Sequence, residues 1–241
     1  GELLTFGGQV MKNVAGYDVS RVLVGSLGVL GVIVEVSLKV LPMAKAEATL
    51  KFELSEGEAL SKLNEWGGQP LPLNASCWVE DGGLGVLFLR LRGAEAAVQA
   101  ACEKLGGERI ENAQAAGDWN DCREQRLPWF KERAPGQDLW RLSLPQTARL
   151  QGLPEPPLVE WHGAQRWVRA EAGEKSASRL RAAAATAGGH ATLFIAENGQ
   201  LPSGGGRFEP PKSPLDRIQR ELKREFDPAG IFNRGRLSPD F

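Results

Sequence analysis

Three stretches of this chain place apolar residues at helical spacings and then stop at a Gly-Gly pair, and strand-like alternation flanks each of them. The first opens on Ser55-Glu-Gly-Glu58, a capping box in which the serine accepts from an early helix N–H and the glutamate reaches back. Ala59, Leu63 and Trp66 mark its apolar face, and Gly67-Gly68 closes it. The second runs over about 94–105, with Ala97, Val98, Ala101 and Leu105 inward, and closes at Gly106-Gly107. The third, alanine-rich over about 173–187, closes at Gly188-Gly189. A chain punctuated in this way alternates helices with strands, which makes it an α+β protein.

The strands fall between those helices. Ala48, Leu50, Phe52 and Leu54 alternate over 47–54, and two further strands at about 73–80 and 84–91 are joined by Asp81-Gly82-Gly83, a hairpin signal. The order β-α-β-β-α is a ferredoxin-like unit in the making. The stretch 106–137 is polar and reads as irregular. Strands resume at 139–144, 158–162, 165–171 and 190–196, so the second half echoes the first loosely as β-β-β-α-β, without a sequence repeat.

Before these units lies another alternating segment. Val32, Val34, Val36, Leu38 and Val40 interleave with Ile33, Glu35, Ser37 and Lys39, which predicts a strand over 31–41 with one well-buried face, ended by Pro42. Gly25, Gly28 and Gly31 just ahead of it let the backbone pass close to a neighbour or a ligand. Gly204-Gly205-Gly206 and Pro210, Pro211 and Pro214 form a linker to a last helix, with Ser213 as its N-cap and Pro214 at its first position. Leu215, Ile218, Leu222 and Phe226 give that helix one apolar stripe, and Asp227-Pro228 stops it.

Composition removes several functions. Lysine and arginine number 29 against 30 acidic residues, a formal charge of −1 that argues against a nucleic-acid binder. The uncharged stretch Val22 to Val34 has 13 residues, too short for a membrane span of about 20. No basic segment leads into an apolar run at the start, so no secretory leader is expected. Cys77, Cys102 and Cys122 form no CxxC pair and point to a reducing compartment, with the cytosol as the expected location. His162 and His190 sit in no metal-binding pattern, and no GxSxG elbow or GxGxxG fingerprint is present. No metal site and no catalytic residue are therefore assigned.

Two segments carry a family resemblance. Gly7-Gly-Gln-Val-Met-Lys-Asn-Val-Ala-Gly-Tyr-Asp18, followed by Val24 through Pro42, resembles the second half of a vanillyl-alcohol-oxidase-type (PCMH) FAD-binding domain. Phe226-Asp-Pro-Ala-Gly-Ile-Phe-Asn-Arg-Gly-Arg-Leu237 resembles the C-terminal ending of FAD-linked oxidases. The Lys-Asn-Val-Ala-Gly-Tyr-Asp form and the Glu160–Trp167 stretch are similar to the FAD-binding subunits of bacterial glycolate oxidases in particular. The sequence departs from the family pattern at Val29, often threonine there, and at Arg234, often proline.

The resemblance implies a remnant of the FAD-binding domain at 1–43, a cap domain at 44–206 with an antiparallel sheet and ferredoxin-like βαββαβ units, and a helix and tail at 207–241 returning to the FAD domain. It implies Lys12, Asn13, Gly16, Tyr17, Gly28, Gly31, Val32 and Asn233 as cofactor-binding residues. The family's pyrophosphate-cradling loop lies upstream of the first motif, and the chain starts at Gly1. The expectation is a fragment of a flavoprotein that holds FAD when intact and none alone. A glycolate (2-hydroxy acid) oxidase would supply catalytic flavoprotein and iron–sulfur subunits as partners and hold the chain in the cytoplasm, peripheral to the inner membrane. Self-association of the fragment through Val32, Val34 and Val36 is also expected.

An alternative remains from the residues themselves. Segment 207–236 carries eight basic side chains against five acidic ones, so a docking module for an acidic partner stands beside the flavin reading. A solvated helix face is the plainer account of those charges. Trp161, Arg166 and Trp167 read as packing residues.

Overall fold

The computed structural model describes residues 2–7, 19–150, 152–153, 155–199, 201–202 and 206–239. The chain divides into two compact units, one of residues 1–40 with 205–241 and the other of 41–204. The first unit contains a short helix, α1 (Ser20–Leu23), followed by turns through Gly25 and Gly28, both with positive φ.

The second unit holds β1 (Ala46–Glu53), α2 (Glu56–Gly67), β2 (Leu73–Asp81), β3 (Leu84–Gly93), α3 (Glu95–Leu105) and β4 (Glu108–Ile110). Then come α4 (Asn112–Arg123), α5 (Pro128–Lys131), β5 (Gln137–Ser143), β6 (Leu158–Glu160), β7 (Gln165–Glu171), α6 (Glu174–Thr186) and β8 (His190–Ile195). Among the described residues the strands form one eight-stranded sheet in the order β4-β1-β3-β2-β6-β7-β5-β8. Every pairing is antiparallel. The β4-β1-β3-β2 half is a βαββαβ unit in ferredoxin-like order. The halves meet at β2–β6, where the register holds two pairs, Cys77 with Glu160 and Trp78 with Val159.

Local chemistry explains why these elements form. Ser55 Oγ accepts from the Glu58 N–H at 3.4 Å and the Glu58 carboxylate accepts from the Ser55 N–H at 2.9 Å, completing the capping box. Gly82 and Gly83 both adopt positive φ, as the tight β2–β3 hairpin requires. Strand alternation sends Leu87, Leu89 and Leu91 to one sheet face under α2 and α3, with Trp140, Leu142 and Val168 under α6. Burying each such leucine stabilises the fold by about 1.5–3 kcal/mol. The opposite face packs Cys77, Leu139, Leu158 and Trp167 against Trp119 and Cys122 of α4 and Trp129 and Phe130 of α5.

The chain returns to the first unit through α7 (Leu215–Phe226). This helix starts one residue later than its sequence signals, with Pro214 at the cap position, and Ser213 caps nothing. Leu215 and Ile218 of its apolar stripe are exposed.

Three further expectations are corrected. No strand forms over 31–41, where Val32, Val34, Val36, Leu38 and Val40 are all exposed and so is Ile33. Alternation specifies a strand only where a neighbour pairs with it, and no described residue does so here. The stretch 106–137 is not irregular, since it contains β4, α4 and α5. Its Ala115, Trp119 and Cys122 are buried at helical spacing, but the polar residues around them mask the signal. Trp161 is not packed: it is 69% exposed, and it opens a turn in which Trp161, His162 and Gly163 all have positive φ. Arg166 and Trp167 are fully buried, as read.

Candidate functional site

The first unit gathers a site where the residues after α7 meet the glycine-rich turn. Asp227 ends the helix and folds the chain back, because its carboxylate accepts from the N–H of Ile231 at 3.1 Å and of Phe232 at 2.9 Å. The Lys223 ammonium is buried there and spends its three N–H donors on the Val29 carbonyl at 2.7 Å, the Phe232 carbonyl at 3.0 Å and the Asp227 carboxylate. Burial opposes ionisation of Asp227, but the hydrogen bonds from Lys223, Phe232 and Ile231 outweigh it and hold the carboxyl at about 2.

This knot positions the following turn. Asn233 has φ 38° and Gly235 φ 69°, and the Arg236 N–H closes the turn on the Asn233 carbonyl at 3.1 Å. Asn233 Nδ2 then donates to the Leu27 carbonyl at 2.7 Å. Leu27 and Gly28 both carry positive φ, and a Cβ on Gly28 would stand 2.7 Å from Asn233 Nδ2. Glycine is thus required at 28 twice, by conformation and by space. Beside this contact lies an open cavity of about 530 Å³ lined by Leu27, Asn233, Arg234, Gly235 and Arg236.

Of the residues the sequence assigned to a cofactor, Gly28 and Asn233 come together here. Gly31 and Val32 do not line the cavity; Val32 is exposed, and a Cβ on Gly31 would meet nothing within 4 Å. Lys12, Asn13, Gly16 and Tyr17 lie outside the described residues. Sequence reasoning missed Lys223 and Asp227, although a Lys–Asp pair at i, i+4 across a helix end is a readable signal.

The turn leaves polar groups open to a ligand. Oδ1 and the second Nδ2 proton of Asn233 make no hydrogen bond among the described residues, leaving an acceptor and donor side by side at the cavity. Such a pair can donate to and accept from one planar edge of a ligand, and the cations Arg234 and Arg236 line the same cavity. Among the described residues no three His, Cys, Asp or Glu side chains cluster in a way that could hold a metal ion. Nor is any described helix long and apolar enough to cross a membrane.

In the second unit, polar groups sit inside the core rather than at a cleft. Cys122 Sγ donates to the Glu160 carboxylate at 3.2 Å, and the same carboxylate accepts from Gln165 Nε2 at 3.0 Å and from the Trp167 indole. The neighbouring Cys77, together with burial, pushes the Cys122 thiol upward and keeps it protonated. Burial lowers His162, which therefore stays neutral near pH 7.

No family model matches the chain. It is 46% identical over 237 residues, or 98% of its own length, to the glycolate oxidase subunit GlcE of Escherichia coli (strain K12). A 50-residue stretch is 42% identical to the glycolate oxidase subunit GlcD of Bacillus subtilis (strain 168), covering 21% of this chain and 11% of that protein. The chain spans 62% of the length of GlcE. The resemblance to a glycolate oxidase subunit is borne out: over nearly its whole length this chain is similar to one.

Proposed function

We propose that this chain is part of the FAD-binding subunit of a glycolate, or 2-hydroxy-acid, oxidase complex. The observation that carries the reading is the 46% identity to GlcE over nearly the whole chain. The geometry at Leu27, Gly28 and Asn233 supports it from the chain's own residues. In this reading the first unit belongs to a PCMH-type FAD-binding domain, and the second is the cap domain. Partner flavoprotein and iron–sulfur subunits complete the complex, which works in the cytoplasm.

The residues would divide the work as follows. Lys223 and Asp227 fix the turn after α7, which presents the Asn233 amide to the flavin edge. Arg234 and Arg236 set a positive field for the phosphates. FAD, when bound, supplies the redox chemistry by accepting a hydride equivalent and passing electrons on, while the protein contributes binding and electrostatics. No residue of this chain is assigned to move the substrate proton.

The test is a polypeptide as long as GlcE, carrying these 241 residues, purified and examined for flavin absorbance. Stoichiometric flavin whose retention weakens in Asn233→Ala supports the reading. A colourless, folded protein that still co-purifies with the partner subunits favours a non-catalytic assembly module instead.

A further inference from the structure

The three cysteines of this chain are not equivalent. Cys102 is half-buried on α3, on the sheet face that carries α2 and α3. Cys77 of β2 and Cys122 of α4 are both buried on the opposite face, within one cluster. Their thiols lie within hydrogen-bonding reach of each other. A carboxylate completes the group. Cys77 stands directly opposite Glu160 in the β2–β6 register, and Cys122 Sγ donates to that carboxylate at 3.2 Å.

Packing accounts for a single buried cysteine, which behaves as a small hydrophobe. It does not call for two sulfurs side by side with a proton acceptor on one of them. Those are the parts that disulfide chemistry needs: an attacking sulfur, a base to take its proton and a second sulfur to resolve the product. The place is also significant. Glu160 accepts from Cys122 on one side of the β2–β6 junction and from Gln165 and Trp167 on the other, where only two residue pairs join the halves of the sheet.

We propose that Cys77 and Cys122 are a reversible dithiol–disulfide couple whose state sets the strength of the β2–β6 junction. With hydrogen peroxide as the oxidant, the Cys122 sulfur attacks one peroxide oxygen while its proton passes to Glu160. The O–O bond breaks, Cys122 becomes a sulfenic acid, and the leaving hydroxide takes the proton from Glu160 and departs as water. The Cys77 sulfur then attacks the sulfenic sulfur, the S–O bond breaks, and the hydroxyl leaves with the Cys77 proton as a second water. The two thiols lose two electrons and the peroxide gains them. Burial and a protonated thiol make the first step slow, so the couple answers sustained oxidant rather than traces. The disulfide has no S–H to donate, so Glu160 keeps Gln165 and Trp167 and loses its bond to α4. The new link ties α4 to β2 within one half, and nothing replaces the lost bond across the junction.

The experiment treats the folded 241-residue chain with hydrogen peroxide, alkylates the remaining thiols under denaturing conditions and maps the digest by mass spectrometry. The expected product is an intrachain Cys77–Cys122 peptide, two hydrogens lighter than its two thiol peptides together and split again by dithiothreitol. Hydrogen exchange in the segments around Trp78 and Val159 should be about threefold or more faster in the oxidised chain, as befits one lost hydrogen bond. Cys122→Ser keeps a donor for Glu160 but cannot form the disulfide, so its exchange should ignore peroxide. Cys102→Ser should oxidise as the parent does. The peptide map needs no variant and decides the couple even where Cys122→Ser folds poorly. The proposal is overturned if Cys77 and Cys122 are recovered as free thiols or as separately oxidised residues. It is equally overturned if the link joins Cys102 or a second chain, or if exchange at the junction is the same in both states.

Discussion

Asn233 and Leu27 are joined by a hydrogen bond of 2.7 Å across 206 positions of sequence, and Gly28 is the residue that makes room for it. Gly28→Ala should destabilise the chain by about 1–2 kcal/mol, through positive φ and a clash with the amide. Asn233→Ala should cost about 1 kcal/mol, the net worth of a hydrogen bond. The two losses should not add, because without the amide a methyl at 28 has nothing to strike. Denaturant melts of the single and double variants check this, and strict additivity would refute the contact.

The knot around Asp227 sets an acid limit for the first unit. Its carboxyl is held at about 2 in the folded state, below its ordinary value near 4. A depressed folded value contributes stability above the unfolded value, and that stability is lost as pH falls through the folded one. The first unit should therefore loosen between about pH 4 and pH 2. Asp227→Asn should be less stable at neutral pH and should flatten that window. Hydrogen exchange at the Ile231 and Phe232 amides, followed against pH, reports the change directly.

The capping box at the start of α2 gives a calibrated test. Ser55→Ala removes the acceptor for the Glu58 N–H and frees the glutamate, with a loss of about 1 kcal/mol. Glu58 is held below its usual value by its hydrogen bonds to Ser55, so the variant should also return that carboxyl toward the ordinary range. Thermal melts and a carboxylate titration by NMR measure the two effects separately.

The exposed run Val32, Val34, Val36, Leu38 and Val40 should drive self-association of this chain. Sedimentation across a concentration series should show growing assemblies, and Val34→Lys with Val36→Lys should reduce them. A monomer at every concentration would refute the expectation.

Much of the second unit was legible because its signals are local. Ser55 and Glu58 sit three residues apart, Gly82-Gly83 sits between two alternating runs, and Gly-Gly pairs end three of its amphipathic helices within a residue or so. What was missed depends on partners far along the chain. Trp119 anchors α4 by donating its indole N–H to Thr49 Oγ1 at 2.9 Å, 70 positions away, and no window around 112–123 contains that fact. The run over 32–40 failed for the opposite reason: its alternation is strong, yet alternation without a pairing neighbour makes no strand. In the site, Gly28 and Asn233 could be named from motifs, whereas the tie of Lys223 to the Val29 carbonyl spans 194 positions and emerges only from the fold.

The eight-stranded sheet is held across its middle by the two residue pairs between β2 and β6. Cys77 and Glu160 lie 83 positions apart, so this junction should close after both halves have organised around their own helices, an order that φ-values at Trp78 and Val159 would test. It is a perforation line: under force or partial unfolding the sheet should tear there, into a βαββαβ half and a remainder, before either half frays. The Glu160 carboxylate, gripped by Cys122 from one half and by Gln165 and Trp167 from the other, is the stitch that resists the tear.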